Sequence, residues 1–222
     1  MSIRRVVNSK KFSPQTVAHV GIAVYSSQTH VGLLYRVSEN KSVEILHLAW
    51  HRRLKSEPPT PECVYWVRPE ILADRAAAIA AFCRRVWKNN QRGQITFGLG
   101  RPSEYFDFAG KPIRGPAKSG LTCAAFVLAV FDGARFPLVK GPWPPADAED
   151  VARQKELLEM LKKTPDATPK DIEGFNKEIG SVRFRPLEVA GAGTSEQFPA
   201  TYDFAKGMSI EIELLMESSR PD

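Results

Sequence analysis

Ser119-Gly120-Leu121-Thr122-Cys123-Ala124-Ala125-Phe126-Val127-Leu128-Ala129-Val130-Phe131 reads as a loop that turns into a buried helix. Ser119 or Thr122 can cap the first turn by accepting from a free backbone N–H. Leu121, Phe126, Val127, Val130 and Phe131 supply apolar surface along the whole run. Cys123 stands at its start. The first turn of a helix presents unpaired N–H groups and a partial positive charge. A thiol held there is expected to ionise more easily, and the thiolate is the nucleophile. The competing reading is a small apolar Cys packed in a core helix.

Working outward, the 222-residue chain is long enough to bury one sizeable core. It is 43% apolar and 25% charged, the composition of an ordinary globular protein. The net charge is +6, yet the basic residues are scattered apart from short pairs such as Arg4-Arg5, Lys10-Lys11 and Arg52-Arg53. Without a basic stripe interleaved with aromatics, no nucleic-acid partner is expected. Three cysteines, an odd number, do not form a disulfide framework. Cys63 in a short strand-like run and Cys83 in a helix read as core thiols. With no Cys-x-x-Cys and no His-Glu-x-x-His, neither a metal site nor a cofactor is expected. The first residues carry no apolar stretch of signal-peptide length, and no segment reaches the length of a membrane span. A cytoplasmic location is the expectation, with signal-independent export left open.

In chain order, residues 1–15 read as a flexible basic arm. A β-branched and aromatic run then covers Thr16 to Ser26, followed by strands at His30–Val37 and Ser42–Trp50. Short polar turns join them, which predicts an antiparallel meander. Arg52 to Pro61 reads as a polar loop, and Glu62 to Val67 as another strand. Pro69 opens a predicted helix whose apolar stripe includes Ile71, Ile79, Phe82, Val86 and Trp87. Gln94 to Leu99 reads as a brief strand. The Gly- and Pro-rich stretch from Gly100 to Lys118 reads as a loop lining a site. Asp147 caps a predicted helix to about Lys163, and Thr168-Pro169 starts another that Gly180 ends. Ser181–Val189 and Met208–Leu215 read as strands, because Ile210, Ile212 and Leu214 alternate with Glu211 and Glu213; residues 190–207 read as loop. The expected fold class is α+β. Residues 16–140 would form the core, and residues 141–222 a helical and strand extension of the same domain.

The histidines give the chemistry its shape. There are four, His19, His30, His47 and His51, and His30 and His47 fall on neighbouring strands. Facing residues on adjacent antiparallel strands lie about 5 Å apart. The two rings are therefore expected to share one face, with the Cys123 helix packed against it. That supplies a nucleophile, a base and a group that orients the base. A lone strand histidine is more often a hydrogen-bonded spectator, which is the competing reading for each. Each of the two is followed by a hydrophobic residue and then Gly or Ala, which leaves room for an imidazole.

With His30-Val31-Gly32-Leu33-Leu34-Tyr35, His47-Leu48-Ala49 and a downstream Cys123 at a helix start, residues 16–133 resemble the permuted papain-like cysteine hydrolases of the NlpC-type superfamily. That group includes the lecithin retinol acyltransferase branch and many bacterial amidases. The resemblance implies a permuted papain-like core, a thiol peptidase or amidase activity, Cys123 as nucleophile, His30 as general base and His47 as its orienter. A second register makes His19 the base and His30 the orienter. The chain departs from the family at Thr122-Cys123-Ala124-Ala125-Phe126, which matches neither the acyltransferase signature nor the cell-wall endopeptidase one. The implied partner is a peptide or acyl substrate. Cleavage of an amide bond, of a cell-wall peptide for example, is the first reading. A lipid acyl hydrolase or acyltransferase, and a catalytically silent binding or effector module on the same fold, are the alternatives.

Overall fold

The computed structural model describes residues 6–8, 20–25, 27, 29–36, 42–60, 64–69, 71, 73–113 and 120–218. The fold is α+β, with an antiparallel sheet and helices on one of its faces. The strands are β1 (Val6–Asn8), β2 (Val20–Tyr25), β3 (Val31–Arg36), β4 (Val43–Trp50), β5 (Arg53–Glu57) and β6 (Val64–Val67). Their order across the sheet is β1-β6-β2-β3-β4-β5. The helices are α1 (Ala73–Asn90), α2 (Cys123–Gly133), α3 (Ala148–Lys162), α4 (Pro169–Lys177), α5 (Pro186–Ala192) and α6 (Tyr202–Ser218). Among the described residues, no helix is long and apolar enough to cross a membrane.

The period of two sets the two sheet faces. Ile22, Val24, Val31, Leu33, Tyr35, Leu46, Leu48 and Val67 point into the main core, where α1, α2, α5 and α6 cover them. Ala23, Leu34, Val43, Ile45 and Trp66 form a smaller cluster on the opposite face. Helix α2 is buried from Cys123 through Phe131, as expected of a helix that is apolar all round. A third cluster joins Phe97 and Leu99 to Leu158 and Leu161 of α3 and Phe175 of α4.

Several elements differ from the sequence expectation. Within the basic arm, Val6–Asn8 pairs with β6 as an edge strand. The polar stretch after Trp50 is β5, which pairs antiparallel with β4. Its only large apolar residue is Leu54, and a sheet edge tolerates so polar a strand because one side needs no partner. Helix α1 starts at Ala73 rather than Pro69. Residues 94–99 are irregular, although Leu121 N–H donates to the Thr96 carbonyl at 3.0 Å and Gly100 N–H to the Gly120 carbonyl at 2.8 Å.

Residues 186–192 and 202–218 are helices where strands and loop are expected. In α6 the buried residues are Ala205, Ile212 and Met216, spaced seven and four apart; Ile210 and Leu214 are exposed. The Ile/Glu alternation is thus a coincidence of composition, and packing on α5 selects the helical period. Helix α5 starts with Pro186 at its first position, while the Glu188 carboxylate accepts from the Arg185 N–H at 3.3 Å.

Candidate active site

Cys123 is the first residue of α2, and Thr122 is the N-cap whose Oγ1 accepts from the Ala125 N–H at 3.1 Å. Of the two cap candidates, Thr122 makes the bond; Ser119 lies outside the described residues. The approach to the cap is held by backbone contact between Gly98 and Gly120. A Cβ on Gly98 would stand 2.6 Å from the Gly120 nitrogen, so only glycine fits there. The described part of the 100–118 loop runs elsewhere. The Glu104 N–H donates to Asp132 at the far end of α2, and Asn90 donates to the Gly110 carbonyl. The expected site-lining role thus rests on Leu99, just before that loop, and not on residues 100–113.

Cys123 and His30 line the same cavity of about 180 Å³. Its walls are mostly apolar: Leu48 and Trp50 from the end of β4, Phe97 and Leu99, and Leu157 and Met160 from α3. Arg153 of α3 and Arg183 add positive charge. Arg183 is paired with the buried Asp150 at 2.7 Å, and Arg153 with Glu156 at 2.8 Å.

The two predicted imidazoles meet. His30 Nε2 lies 2.7 Å from His47 Nδ1. On its far side, His47 Nε2 lies 3.0 Å from a Glu57 carboxylate oxygen. The other oxygen of Glu57 accepts from Lys55 at 3.3 Å. The ring of Tyr25 packs against both, 4.9 Å from His30 and 5.7 Å from His47. Burial, with His47 adding to it, lowers the His30 pKa to about 4. Burial also lowers His47, against the opposing pull of Glu57. For Glu57, burial acts upward, but the hydrogen bonds of His47 and Lys55, with the Lys55 charge, outweigh it and hold the carboxyl below its usual value. Both rings are therefore neutral and the carboxylate is ionised near neutral pH.

Two expectations about this constellation are corrected. His47 does not share the face on which α2 packs. A Cβ on Gly32 would stand 2.8 Å from the His47 Cβ and 2.7 Å from the Ile45 Cγ2, and Ile45 belongs to the opposite cluster. A residue two places from Ile45 must point the same way in a regular strand. His30 stands just before β3, at the sheet end, and so touches both the His47 side and the cavity. The room that Gly32 leaves thus serves His47.

The thiol is the second correction. Its hydrogen bond runs to the Thr29 carbonyl at 3.9 Å, next to His30, while the described hydrogen bond of the His30 ring runs to His47. Burial pushes the Cys123 thiol above its ordinary pKa. Hydrogen bonds from the backbone of Val31, Ala124 and Cys123 itself, and the charge of Arg183, act downward without offsetting it. The helix terminus therefore does not overcome desolvation.

His51 is fully buried and structural: its Nδ1 accepts from the Phe97 N–H at 3.3 Å, and Asp171 lies 3.6 Å from its Nε2. Cys83 is buried in α1, where burial pushes its thiol up to about 12. His19 and Cys63 lie outside the described residues. Glu57 was missed by sequence reasoning, because it sits in the stretch read as a polar loop. The signal that finds it is the two-residue turn His51-Arg52, which folds the chain back along the strand carrying His47. Among the described residues, no group of three or more His, Cys, Asp and Glu is placed to hold a metal. The chain matches no protein-family model, no curated protein and no solved structure.

Proposed function

We propose that the protein is a cysteine hydrolase of amide bonds, with Cys123 as nucleophile, His30 as general base and His47 as the residue that orients His30. The observation that carries this reading is the His30–His47 contact of 2.7 Å, made by a His30 ring that lines the same cavity as Cys123. His30 Nε2 is occupied by His47, so Nδ1 is the nitrogen that takes the thiol proton. That transfer exchanges the thiol's bond to the Thr29 carbonyl for one to His30. The thiolate adds to the amide carbonyl, and the charge collects on the carbonyl oxygen. Within α2, Thr122 takes the N–H groups of Ala125 and Phe126. The Cys123 and Ala124 N–H groups, next to the sulfur, are the donors suited to that oxygen. The His30 imidazolium then protonates the leaving amine. Water, deprotonated by His30, cleaves the thioester and restores the thiol.

The cavity bears on substrate size. An apolar cavity of roughly 150 Å³ holds a benzene molecule, so about 180 Å³ suits one aromatic ring or a branched aliphatic group beside the carbonyl. The direct test uses peptidyl and acyl amides of such groups with intact-mass detection. The expected result is an acyl adduct on Cys123 and loss of turnover in Cys123→Ala and His30→Asn. Equal turnover by Cys123→Ala on a proven substrate sinks the mechanism.

One observation favours a second reading, a binding module without turnover: the buried thiol bonded to Thr29, with a raised pKa. On that reading amides of the same groups bind to the cavity, no adduct forms, and Cys123→Ala binds as well as the parent protein.

A further inference from the structure

We propose that Glu57 is a positioning residue of this site, whose carboxylate sets the tautomers of both His47 and His30 and leaves Nδ1 of His30 as the free base. Donors and acceptors along the row Lys55, Glu57, His47 and His30 fix the pattern. An ionised carboxylate can only accept. Both oxygens of Glu57 are engaged, one by the Lys55 ammonium at 3.3 Å and the other facing His47 Nε2 at 3.0 Å. His47 must therefore carry its proton on Nε2. A neutral imidazole has one N–H, so His47 Nδ1 is then an acceptor. It faces His30 Nε2 at 2.7 Å, so His30 must donate from Nε2. The lone pair of His30 is left on Nδ1. The reverse pattern would set the His47 Nε2 lone pair against the carboxylate. The charged and titratable groups around His47 are Glu57, Lys55 and His30, with the Tyr25 ring packed alongside.

The consequence for catalysis rests on the proposed role of His30, but the tautomer pattern does not. Two-bond proton–nitrogen correlation spectra of ¹⁵N-labelled protein near pH 7.5 report which ring nitrogen bears the proton. The parent protein is expected to show His47 and His30 both protonated on Nε2. In Glu57→Gln, Lys55 can only donate and takes the amide oxygen, which turns the NH₂ group toward His47. His47 then moves its proton to Nδ1 and His30 follows. Glu57→Asp keeps an acceptor and the original pattern. Turnover of the peptidyl and acyl amides is expected to fall at least ~10-fold in Glu57→Gln; wrong-tautomer substitution in a serine-protease triad costs up to ~10⁴-fold. Glu57 lies half-exposed on an edge strand, so the variants are expected to fold, which circular dichroism checks.

A parent protein with His47 protonated on Nδ1, or a pattern that does not change in Glu57→Gln, overturns the proposal. A pattern that shifts as expected while Cys123 forms no acyl adduct in any variant supports the role of Glu57 and removes the hydrolase reading instead.

Discussion

Gly32→Ala tests the packing that seats His47. A methyl group at this position would stand 2.7 Å from Ile45 Cγ2, 2.8 Å from His47 Cβ and 3.1 Å from the Leu46 carbonyl oxygen. Comfortable carbon–carbon contact begins near ~3.5 Å, so the neighbours must retreat by roughly 0.7 Å. None of the three atoms is the free end of a flexible chain. Overpacking of this kind costs ~1–3 kcal/mol. Reduced freedom of the unfolded chain returns ~0.4–1 kcal/mol of that. The expected net loss is ~0.5–2 kcal/mol, and a chain of this size loses ~2–4 °C of Tm per kcal/mol. Gly174→Ala in α4 and Gly207→Ala in α6 are the controls, because a Cβ at either position meets nothing within 4 Å. Each control is expected to gain ~0.5–1 kcal/mol. Urea unfolding of the three variants supplies the comparison, and the ring spectra of His30 and His47 show whether their contact survives. A Gly32→Ala protein as stable as the parent, with the imidazole contact intact, would show that the bare Gly32 backbone is not what seats His47.

The other predictions concern the cap, the thiols, acid stability and the α4 anchor. Thr122→Ala removes the side-chain cap of α2 and is expected to cost ~0.5–2 kcal/mol in urea unfolding. Iodoacetamide followed by peptide mapping is expected to modify Cys123 at a rate that keeps rising above the pH at which ordinary thiols level off. Cys83 should stay unmodified until the protein unfolds, because burial holds it near 12. His30, His47 and His51 all have lowered pKa values in the fold, so the unfolded chain binds their protons first. Their contribution to stability is complete above about pH 6.5, the ordinary histidine value. It falls as pH drops toward the folded value, which is about 4 for His30. Urea midpoints between pH 7.5 and pH 4.5 should follow that sign, with a shallower slope in His30→Asn. Phe175 is buried in the cluster beside the cavity and stacks 6.2 Å from Phe97. Phe175→Ala is expected to cost ~3–5 kcal/mol and to loosen the Phe97 wall, read as weaker binding of apolar amides.

The strands β2 to β4 and the helices α2, α3 and α4 were legible because local chemistry and tertiary packing agree in them. Val20, Ile22 and Val24 of β2 and Val31, Leu33 and Tyr35 of β3 are apolar at alternate positions, where the core needs them. Asp147 and Thr168 each accept from the third residue of the helix they cap. The errors fall where local pattern and packing disagree. Ile210 and Leu214 suggested a strand face, yet they are the exposed residues of a helix whose buried side is Ala205, Ile212 and Met216. Arg53–Glu57 looked like loop because an edge strand with one buried leucine carries almost no apolar signal.

From the sequence alone came the α+β class, the placement of Cys123 in the first turn of a buried helix and the nearness of His30 to His47. Those follow from apolar period, capping residues and strand adjacency, which are properties of short stretches of chain. Tertiary structure alone decided that His47 faces away from α2, that Glu57 completes the row of polar contacts and that the thiol bonds to Thr29. Strand register assigns the faces, since one step along a strand reverses every side chain. Burial outweighs the helix terminus at Cys123, since desolvation depends on everything packed around the sulfur and not on the residues beside it in the chain.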